Sequence, residues 1–206
     1  MLLAVVRHPI QAYPDAIAEQ EKIVAAVLAN ESGNTLILTM HPPIFTLGTS
    51  AQAADVLRQQ FDGVYIKTHR TGRGGQVTYH GPGQLLCYVV ADLRKQRDLH
   101  MHVQKLETMV IATLQDMKIH AERSSRGIGV WVNGNKIAAV GVRCRKWIAF
   151  HGIALNISPD LHHFSGIVAC GMQDNPVTSI ALEGGDSQRA HVESLLIRHA
   201  HALWGS

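Results

Sequence analysis

Residues Arg70 to Val90 read RTGRGGQVTYHGPGQLLCYVV, with five glycines and one proline inside two segments that otherwise alternate like β-strands. Glycine destabilises the interior of a strand, and it often marks a place where another backbone or a ligand approaches closely. A phosphate loop, a tight hairpin and the wall of a ligand pocket all use glycines in this way. The rest of the chain has to distinguish these three interpretations.

The phosphate-loop interpretation fits this stretch poorly. Such a loop needs the pattern GxxxxGK[ST] at the start of a helix, because the helix N-terminus and the loop amides hold the phosphates together. Here Gly72, Gly74 and Gly75 are followed by QVTYH, whose alternation is typical of a strand. The segment HGPG is a turn signal. The local sequence leaves open a structural hairpin or a strand pair that lies against a ligand.

Length and composition predict one domain, because 206 residues with 46% hydrophobic and 17% charged content are enough for one sizeable core. Arg7 interrupts the apolar start MLLAVV, and no apolar run reaches about 18 residues, so we expect neither a signal peptide nor a membrane span. Three cysteines without CxxC spacing indicate a reducing cytoplasm. The net charge of +3 suggests acidic partners. The 5% aromatic content and the absence of a basic helix argue against nucleic-acid binding.

The hydrophobic pattern predicts helices and strands in mixed order. Helices are predicted over 13–33, 100–119 and 190–204, and strands over 2–8, 35–41, 44–48, 64–70, 127–132, 136–143 and 147–158. Asn133 and Gly134 predict a tight hairpin, because both tolerate positive φ. We therefore expect an α+β (mixed α/β) fold, a single domain of largely antiparallel or mixed sheets flanked by helices.

Three residues stand out as candidate chemical groups. Cys170 precedes Gly171 at a turn that could present its thiol, although a lone cysteine is usually a small buried hydrophobe. Lys136 follows the NGN turn, where a lysine is ordinarily solvated. His80 is either a general base or a hydrogen-bonded core histidine. The adjacent His162 and His163 would point to opposite sides, so no metal site is expected.

Five segments, taken in order and spacing, resemble the lipoyl(octanoyl) transferases, the B-type lipoate-attachment enzymes. The segments are HPPIFTLG, RGGQVTYHGPGQL, NGNKIAAVGVR, FHGIALNIS and ACGM, and the resemblance covers Met40 to Met172. It implies the fold of the biotin and lipoate protein ligase catalytic domain, with residues 1–206 forming a single lipoate-protein ligase B-like domain that acts as a monomer. It also implies transfer of an octanoyl (or lipoyl) group from acyl carrier protein to a lysine of a lipoyl domain. The implied acceptors are 2-oxoacid dehydrogenase complexes and the glycine-cleavage H protein.

The resemblance also implies roles for individual residues. Cys170 is the implied nucleophile, forming a thioester acyl-enzyme, and Lys136 is its partner. The implied substrate contacts are Arg73, Gly74, Gly75, Gln76, Val77, Thr78, Tyr79, His80, Ala139, Val140, Gly141, Gly152, Ile153 and Ala154. On this interpretation the glycines leave room for an eight-carbon chain. Ala169 stands where many members have proline, which would loosen the turn that holds Cys170.

No cofactor is expected, because a thioester donor is already activated and thiol exchange needs no nucleotide. A noncatalytic module that binds acylated or lipoylated domains remains the alternative function. It would form no covalent intermediate on Cys170.

Overall fold

The computed structural model describes residues 3–168 and 176–205. Its strands are β1 (Ala4–Arg7), β2 (Thr35–Thr39), β3 (Ile44–Leu47), β4 (Gln60–Phe61), β5 (Val64–Tyr65), β6 (Lys67–Arg70), β7 (Val77–His80), β8 (Gln84–Asp92), β9 (Glu122–Ser124), β10 (Gly127–Val132), β11 (Asn135–Arg145) and β12 (Ile148–Asn156). The α-helices are α1 (Tyr13–Leu28), α2 (Leu99–Asp116) and α3 (Arg189–Trp204), and 3-10 helices span Ala53–Asp55 and Leu161–Gly166. The α+β expectation is confirmed.

A seven-stranded sheet forms the centre of the fold. Its strand order is β1-β2-β8-β12-β11-β10-β9, with β1 and β2 parallel and the other pairs antiparallel. The interior strand β8 reads QLLCYVVAD, and every residue except Asp92 is buried. An uninterrupted apolar strand of this kind is buried on both faces, which requires helices on either side.

Helices cover both faces of this sheet. Leu106, Met109 and Val110 of α2 and Leu196 of α3 pack into the largest apolar cluster with alternate residues of β2 and β8. On the opposite face, α1 contributes Ala16 to a cluster with Leu86, Tyr88 and Ala154. Pro14 lies in the first turn of α1, where its missing N–H costs nothing.

A smaller three-stranded sheet, in the order β6-β3-β7, lies beside the first. Strands β3 and β6 are parallel, and β3 and β7 are antiparallel. Phe45 and Tyr79 pack edge to face in its own apolar cluster, with ring centroids 6.0 Å apart. The glycine-rich stretch therefore links the two sheets, because β7 belongs to the small sheet and β8 to the large one.

The NGN hairpin is confirmed, with φ of 50° at Asn133 and 77° at Gly134. The two predicted helix ends 33 and 119 are wrong. Helix α1 stops at Leu28 and α2 at Asp116, because Asn30 and Lys118 adopt the left-handed φ of 61° and 62° that ends a helix. Within residues 3–168 and 176–205, no helix has the length and apolar character needed to cross a membrane.

Candidate active site

A cavity lies between the α1 face of the large sheet and strand β7. It encloses about 580 Å³ of space, part of it open to solvent. Its walls are Tyr13, Arg73, Gly75, Gln76, Val77, Thr78, His80, Leu86, Tyr88, Ala139, Val140, Gly141, His151, Gly152, Ile153 and Ala154. We call it the acyl cavity, after the acyl chain that the family resemblance implies for its lining residues. All of the substrate contacts implied by the family resemblance line it except Gly74 and Tyr79.

The strand register explains why segments far apart in sequence meet here. In the β11–β12 ladder, Ala139 lies opposite Ala154, Val140 opposite Ile153 and Gly141 opposite Gly152. These pairs form one wall of the acyl cavity, and the loop before β7 forms another. A Cβ on Gly152 would collide with the Cys87 carbonyl oxygen, so glycine allows β12 and β8 to approach closely.

The expectation that the glycines leave room for an acyl chain is wrong for most of the stretch. A Cβ on Gly72 would collide with the Arg143 guanidinium, and one on Gly81 with the Tyr79 hydroxyl. Gly83 has a φ of +84° and lies against the Ser158 backbone. These three glycines make room for protein groups. Gly74 and Gly75 differ, because a Cβ would meet its nearest atom only at 3.4 Å on Gly74 and at 3.7 Å on Gly75, where the φ of +86° also favours glycine.

Arg73 shapes the loop that Gly74 and Gly75 belong to. Its side chain is buried, and Nη2 donates to the Thr46 carbonyl oxygen at 2.6 Å and to Thr46 Oγ1 at 2.9 Å. Nη1 donates to the Gly74 carbonyl oxygen at 3.0 Å. The guanidinium therefore joins the loop to β3 and places a fixed positive charge at the cavity wall.

Three neutral histidines surround the acyl cavity. Burial, together with the charge of Arg73, lowers the pKa of His80 to about 3. Burial and the nearby Arg73 and Arg143 lower the pKa of His151 to about 4. Burial also lowers the pKa of His41, whose Nε2 lies 2.6 Å from the Tyr88 hydroxyl. The histidines are therefore uncharged near neutral pH and can serve as hydrogen-bond donors and acceptors.

His151 has two unusual features. It adopts a φ of +61° inside strand β12, a conformation that costs a non-glycine residue energy. Its backbone N–H donates to Gln20 Oε1 at 2.9 Å, and this buried glutamine holds the irregular backbone in place. Its ring nitrogen Nδ1 is buried with no hydrogen-bond partner among the described residues.

Lys136 lines a second cavity, of about 960 Å³ including open solvent, next to the first. We call it the lysine cavity. The two cavities adjoin, because they share the lining residues Gly75, Gln76, Val140 and Gly141. Gly74 lines the lysine cavity but not the acyl cavity. The loop that contains Gly74 and Gly75 therefore separates a narrow apolar space from the space next to the lysine.

The side chain of Lys136 is not solvated, contrary to what its hairpin position suggests. The residue is only 5% exposed, and Nζ lies 4.7 Å from the centre of the Trp131 ring. Trp131 pairs with Lys136 across a β-bulge between β10 and β11. The backbone of Lys136 also donates to the Pro176 carbonyl oxygen and accepts from the Thr178 N–H. These contacts from distant segments hold the ammonium against the sheet.

Cys170, the predicted nucleophile, and Ala169 lie outside the described residues. The described chain on either side is held by backbone contacts. Before the gap, the Val168 N–H donates to the Asp55 carbonyl oxygen at 2.8 Å. After it, Val177 forms a bridge with Lys136. The chain therefore contacts Lys136 within six residues after Cys170, beginning at Pro176.

Tyr79, His162 and His163 have structural contacts. The Tyr79 hydroxyl lies 2.9 Å from His163 Nδ1, which joins β7 to the 3-10 helix Leu161–Gly166. Arg58 Nη2 donates to His162 Nε2 at 3.2 Å. Tyr79 lines neither cavity, because its ring is packed in the cluster of the small sheet.

The fold is an α+β domain of the kind that lipoate and biotin protein ligases share. A lipoate-protein ligase A structure bound with ATP has a TM-score of 0.74 to this chain at 16% identity, covering 98% of this chain and 84% of that one. A bipartite lipoate protein ligase from Thermoplasma acidophilum has a TM-score of 0.72 at 17% identity, with coverage of 98% and 82%. Biotin protein ligase from Aquifex aeolicus has a TM-score of 0.59 at 15% identity, with coverage of 98% and 70%.

The chain belongs to the lipoyl protein ligase A/B catalytic domain family, whose sequence model matches residues 12–200. It is similar to an octanoyltransferase from Rhodospirillum rubrum, with 43% identity over 94% of this chain and 90% of that protein. It is also similar to an octanoyltransferase from Rhizorhabdus wittichii, with 43% identity over 93% of this chain and 86% of that protein.

Sequence reasoning missed several residues at the cavities. Tyr13, His41, Tyr88 and His151 all lie around the acyl cavity or bond to its walls. Of these, His41 and His151 lie in the segments HPPIFTLG and FHGIALNIS that carry the family resemblance. A polar residue inside an apolar strand, such as the histidine of IAFHGIALN, is the signal that could have identified His151.

Proposed function

We infer that this protein is an octanoyltransferase, an acyltransferase of protein lipoylation, and we propose that it works through an acyl-enzyme on Cys170. The family match and the octanoyltransferase relatives support the activity. The roles of Cys170 and Lys136 come from the family resemblance of their sequence segments.

The proposed reaction has two steps. The Cys170 thiolate attacks the carbonyl carbon of the donor thioester, a new C–S bond forms, and the donor thiolate leaves. A neutral lysine amine of the acceptor then attacks the enzyme thioester, forming an amide and releasing the Cys170 thiolate. The amine loses a proton in this second step, and Lys136, which gave its own proton to the departing donor thiolate in the first step, accepts it. Both steps begin from a thioester, which is an activated acyl bond, so the proposal needs no nucleotide.

One observation supports this assignment most strongly. Lys136 is buried beside a cavity that adjoins the acyl cavity, although its sequence position predicts a solvated side chain. Burial removes hydrating water from an ammonium, which costs free energy. The fold must offset this cost to hold Lys136 in place. A cation that water does not screen stabilises a neighbouring thiolate strongly, which is the role we assign to it.

The acyl cavity suits an aliphatic chain. Val77, Leu86, Ile153 and Ala154 contribute apolar walls, and Gly74 and Gly75 leave free space where the two cavities adjoin. We therefore propose that the residues of the glycine loop and of the paired strands β11 and β12 contact the octanoyl chain. Tyr79 supports this wall from behind.

For partners, we propose octanoyl-acyl carrier protein as the donor. The proposed acceptors are lipoyl domains of 2-oxoacid dehydrogenase complexes and the glycine-cleavage H protein. Arg143 is exposed, whereas Arg145 pairs with Glu21 at 2.6 Å, so Arg143 is the better candidate for attracting an acidic carrier. We further propose that residues 1–206 act as one catalytic domain, as a monomer, in the cytoplasm.

A direct assay tests the activity. The purified protein is mixed with octanoyl-acyl carrier protein and an unmodified lipoyl domain, and the domain is analysed by mass spectrometry. We expect one octanoyl group on one lysine, without added nucleotide. A protein that binds both partners but leaves the domain unmodified would be the noncatalytic binding module instead.

A further inference from the structure

A chain of three hydrogen bonds connects the wall of the acyl cavity to the segment that pairs with Lys136. His80 Nδ1 lies 2.6 Å from Gln84 Oε1, Gln84 Nε2 donates to Asn156 Oδ1 at 2.9 Å, and Asn156 Nδ2 donates to the Thr178 carbonyl oxygen at 2.9 Å. All four residues are at most 5% exposed. Water therefore competes little for these bonds.

The direction of this chain is fixed at one end. A backbone carbonyl oxygen can only accept, so the group of Asn156 that faces Thr178 is its NH₂. The Asn156 oxygen then faces Gln84 and accepts from the Gln84 NH₂. The Gln84 oxygen in turn faces His80 and requires a donor. His80 Nδ1 must therefore carry the proton, and Nε2 of the neutral ring is an acceptor.

The other end of the chain reaches Lys136. The Thr178 N–H donates to the Lys136 carbonyl oxygen at 3.0 Å. The Asn156 carbonyl oxygen accepts from the Ile180 N–H at 3.0 Å, which fixes the same segment a second time. Gln84 and Asn156 also pair in the β8–β12 ladder, so the sheet itself sets their separation.

We propose that Gln84 and Asn156 are positioning residues for acyl transfer, which hold His80 as its Nδ1–H tautomer with Nε2 as an acceptor at the cavity wall and fix Thr178 against Lys136. The proposal deepens the proposed function and rests on it for its catalytic part. Its structural part concerns the free enzyme. Apolar side chains of similar size would fill the same space without any fixed hydrogen-bond orientation. We therefore assign the amides of Gln84 and Asn156 the role of orienting His80 and Thr178.

The tautomer of His80 is measured in the free enzyme by NMR. Protein labelled with ¹⁵N-histidine gives two-bond correlations from the ring protons to both ring nitrogens, and the His80→Gln variant assigns the His80 signals. We expect a protonated Nδ1 and an unprotonated Nε2 in the wild type. The Gln84→Met variant removes both hydrogen bonds of this side chain at similar length, and we expect it to show both tautomers. An Nε2–H tautomer in the wild type overturns the proposal.

Single-turnover kinetics test the catalytic part. We expect Gln84→Met and Asn156→Leu to lower the rate of octanoyl transfer on the order of 10- to 100-fold at saturating partners, because small misplacements of reacting groups have effects of this size. Thr113→Val is the control, since Thr113 donates a buried hydrogen bond to the Met109 carbonyl oxygen within α2, away from both cavities. It should change the rate by less than about twofold.

The outcomes distinguish the positioning role of Gln84 and Asn156 from the proposed octanoyltransferase function. Rates in Gln84→Met and Asn156→Leu that match Thr113→Val overturn the positioning role, even where all three variants lose stability. A wild-type enzyme with the Nδ1–H tautomer but no octanoyl transfer contradicts the proposed function and leaves the orientation of His80 intact. If either variant fails to fold, the other variant and the wild-type tautomer still decide.

Discussion

Replacing Lys136 by methionine removes its charge and keeps most of its volume. In the proposed pairing we take the ammonium to lie about 5 Å from the thiolate, and at an effective dielectric constant of about 20 this stabilises the thiolate by about 3 kcal/mol. That energy changes the ratio of thiolate to thiol by about 100-fold. An unassisted cysteine is a few per cent thiolate at pH 7, so the thiolate fraction of Cys170 should fall by about 25-fold in Lys136→Met. The low dielectric constant applies because Lys136 is only 5% exposed.

The assay measures two single-turnover rates across pH, one for acylation of the enzyme and one for transfer to the lipoyl domain. Acylation of Lys136→Met should be about 25-fold slower than in the wild type at pH 7, and it should recover at higher pH, where hydroxide deprotonates the Cys170 thiol. Transfer should stay impaired, because the proton acceptor is gone. Lys136→Arg keeps the charge without accepting a proton, so it should retain acylation and lose transfer.

Lys146→Met is the matched control, because Lys146 is an exposed lysine at the other hairpin, between β11 and β12. It should leave both rates unchanged. Wild-type rates in Lys136→Met at pH 7 would refute the argument from charge and leave Lys136 as a structural residue.

Three further predictions address stability and docking. Gly152→Ala should lower the free energy of unfolding by about 3 kcal/mol in denaturant titrations, because its Cβ collides with the Cys87 carbonyl oxygen. Gly74→Ala should lower it by less than about 1 kcal/mol, and equal losses in the two variants would contradict this prediction. The KM for the donor should rise with salt and depend less on salt in Arg143→Gln, and an insensitive wild-type KM would exclude electrostatic docking. Burial lowers the pKa of His102 to about 4, whereas its pKa in the unfolded chain is about 6.5. Between about pH 6.5 and about pH 4 the unfolded state therefore binds more protons than the folded state, and the free energy of unfolding falls as the pH drops. Thermal and denaturant unfolding of His102→Phe should show about 2 kcal/mol less loss from pH 7 to pH 5, and an identical loss would show that His102 does not titrate in this way.

The sequence predicted the elements whose signals are local. The NGN hairpin and strand β10 were predicted to the residue, because positive φ and alternation are encoded in adjacent positions. The helix ends at Leu28 and Asp116 were not predicted, because the residues that end these helices, Asn30 and Lys118, are neither glycine nor proline. The small sheet was also missed as a separate unit, because the parallel pairing of β3 with β6 is decided by contacts distant in sequence.

The candidate site was predictable only through resemblance. Local rules place Lys136 in solvent, and the structure buries it because Trp131, Pro176 and Thr178 come together around it. The same rules treat glycines as space for a ligand, whereas Gly72 and Gly81 make room for Arg143 and Tyr79. Gln84 and Asn156 carry no motif of their own, and their connection exists only once β8 and β12 pair.

The most direct test of the acyl-enzyme is the intact mass of the protein after mixing with octanoyl-acyl carrier protein in the absence of acceptor. We predict a mass increase of one octanoyl group, located on Cys170 by peptide mapping, lost in Cys170→Ala, and discharged on addition of a lipoyl domain. Cys87 should stay unlabelled, because it is fully buried and burial raises the pKa of its thiol. Octanoylation of the lipoyl domain by Cys170→Ala at the wild-type rate, or label on Cys144 in its place, would contradict the account.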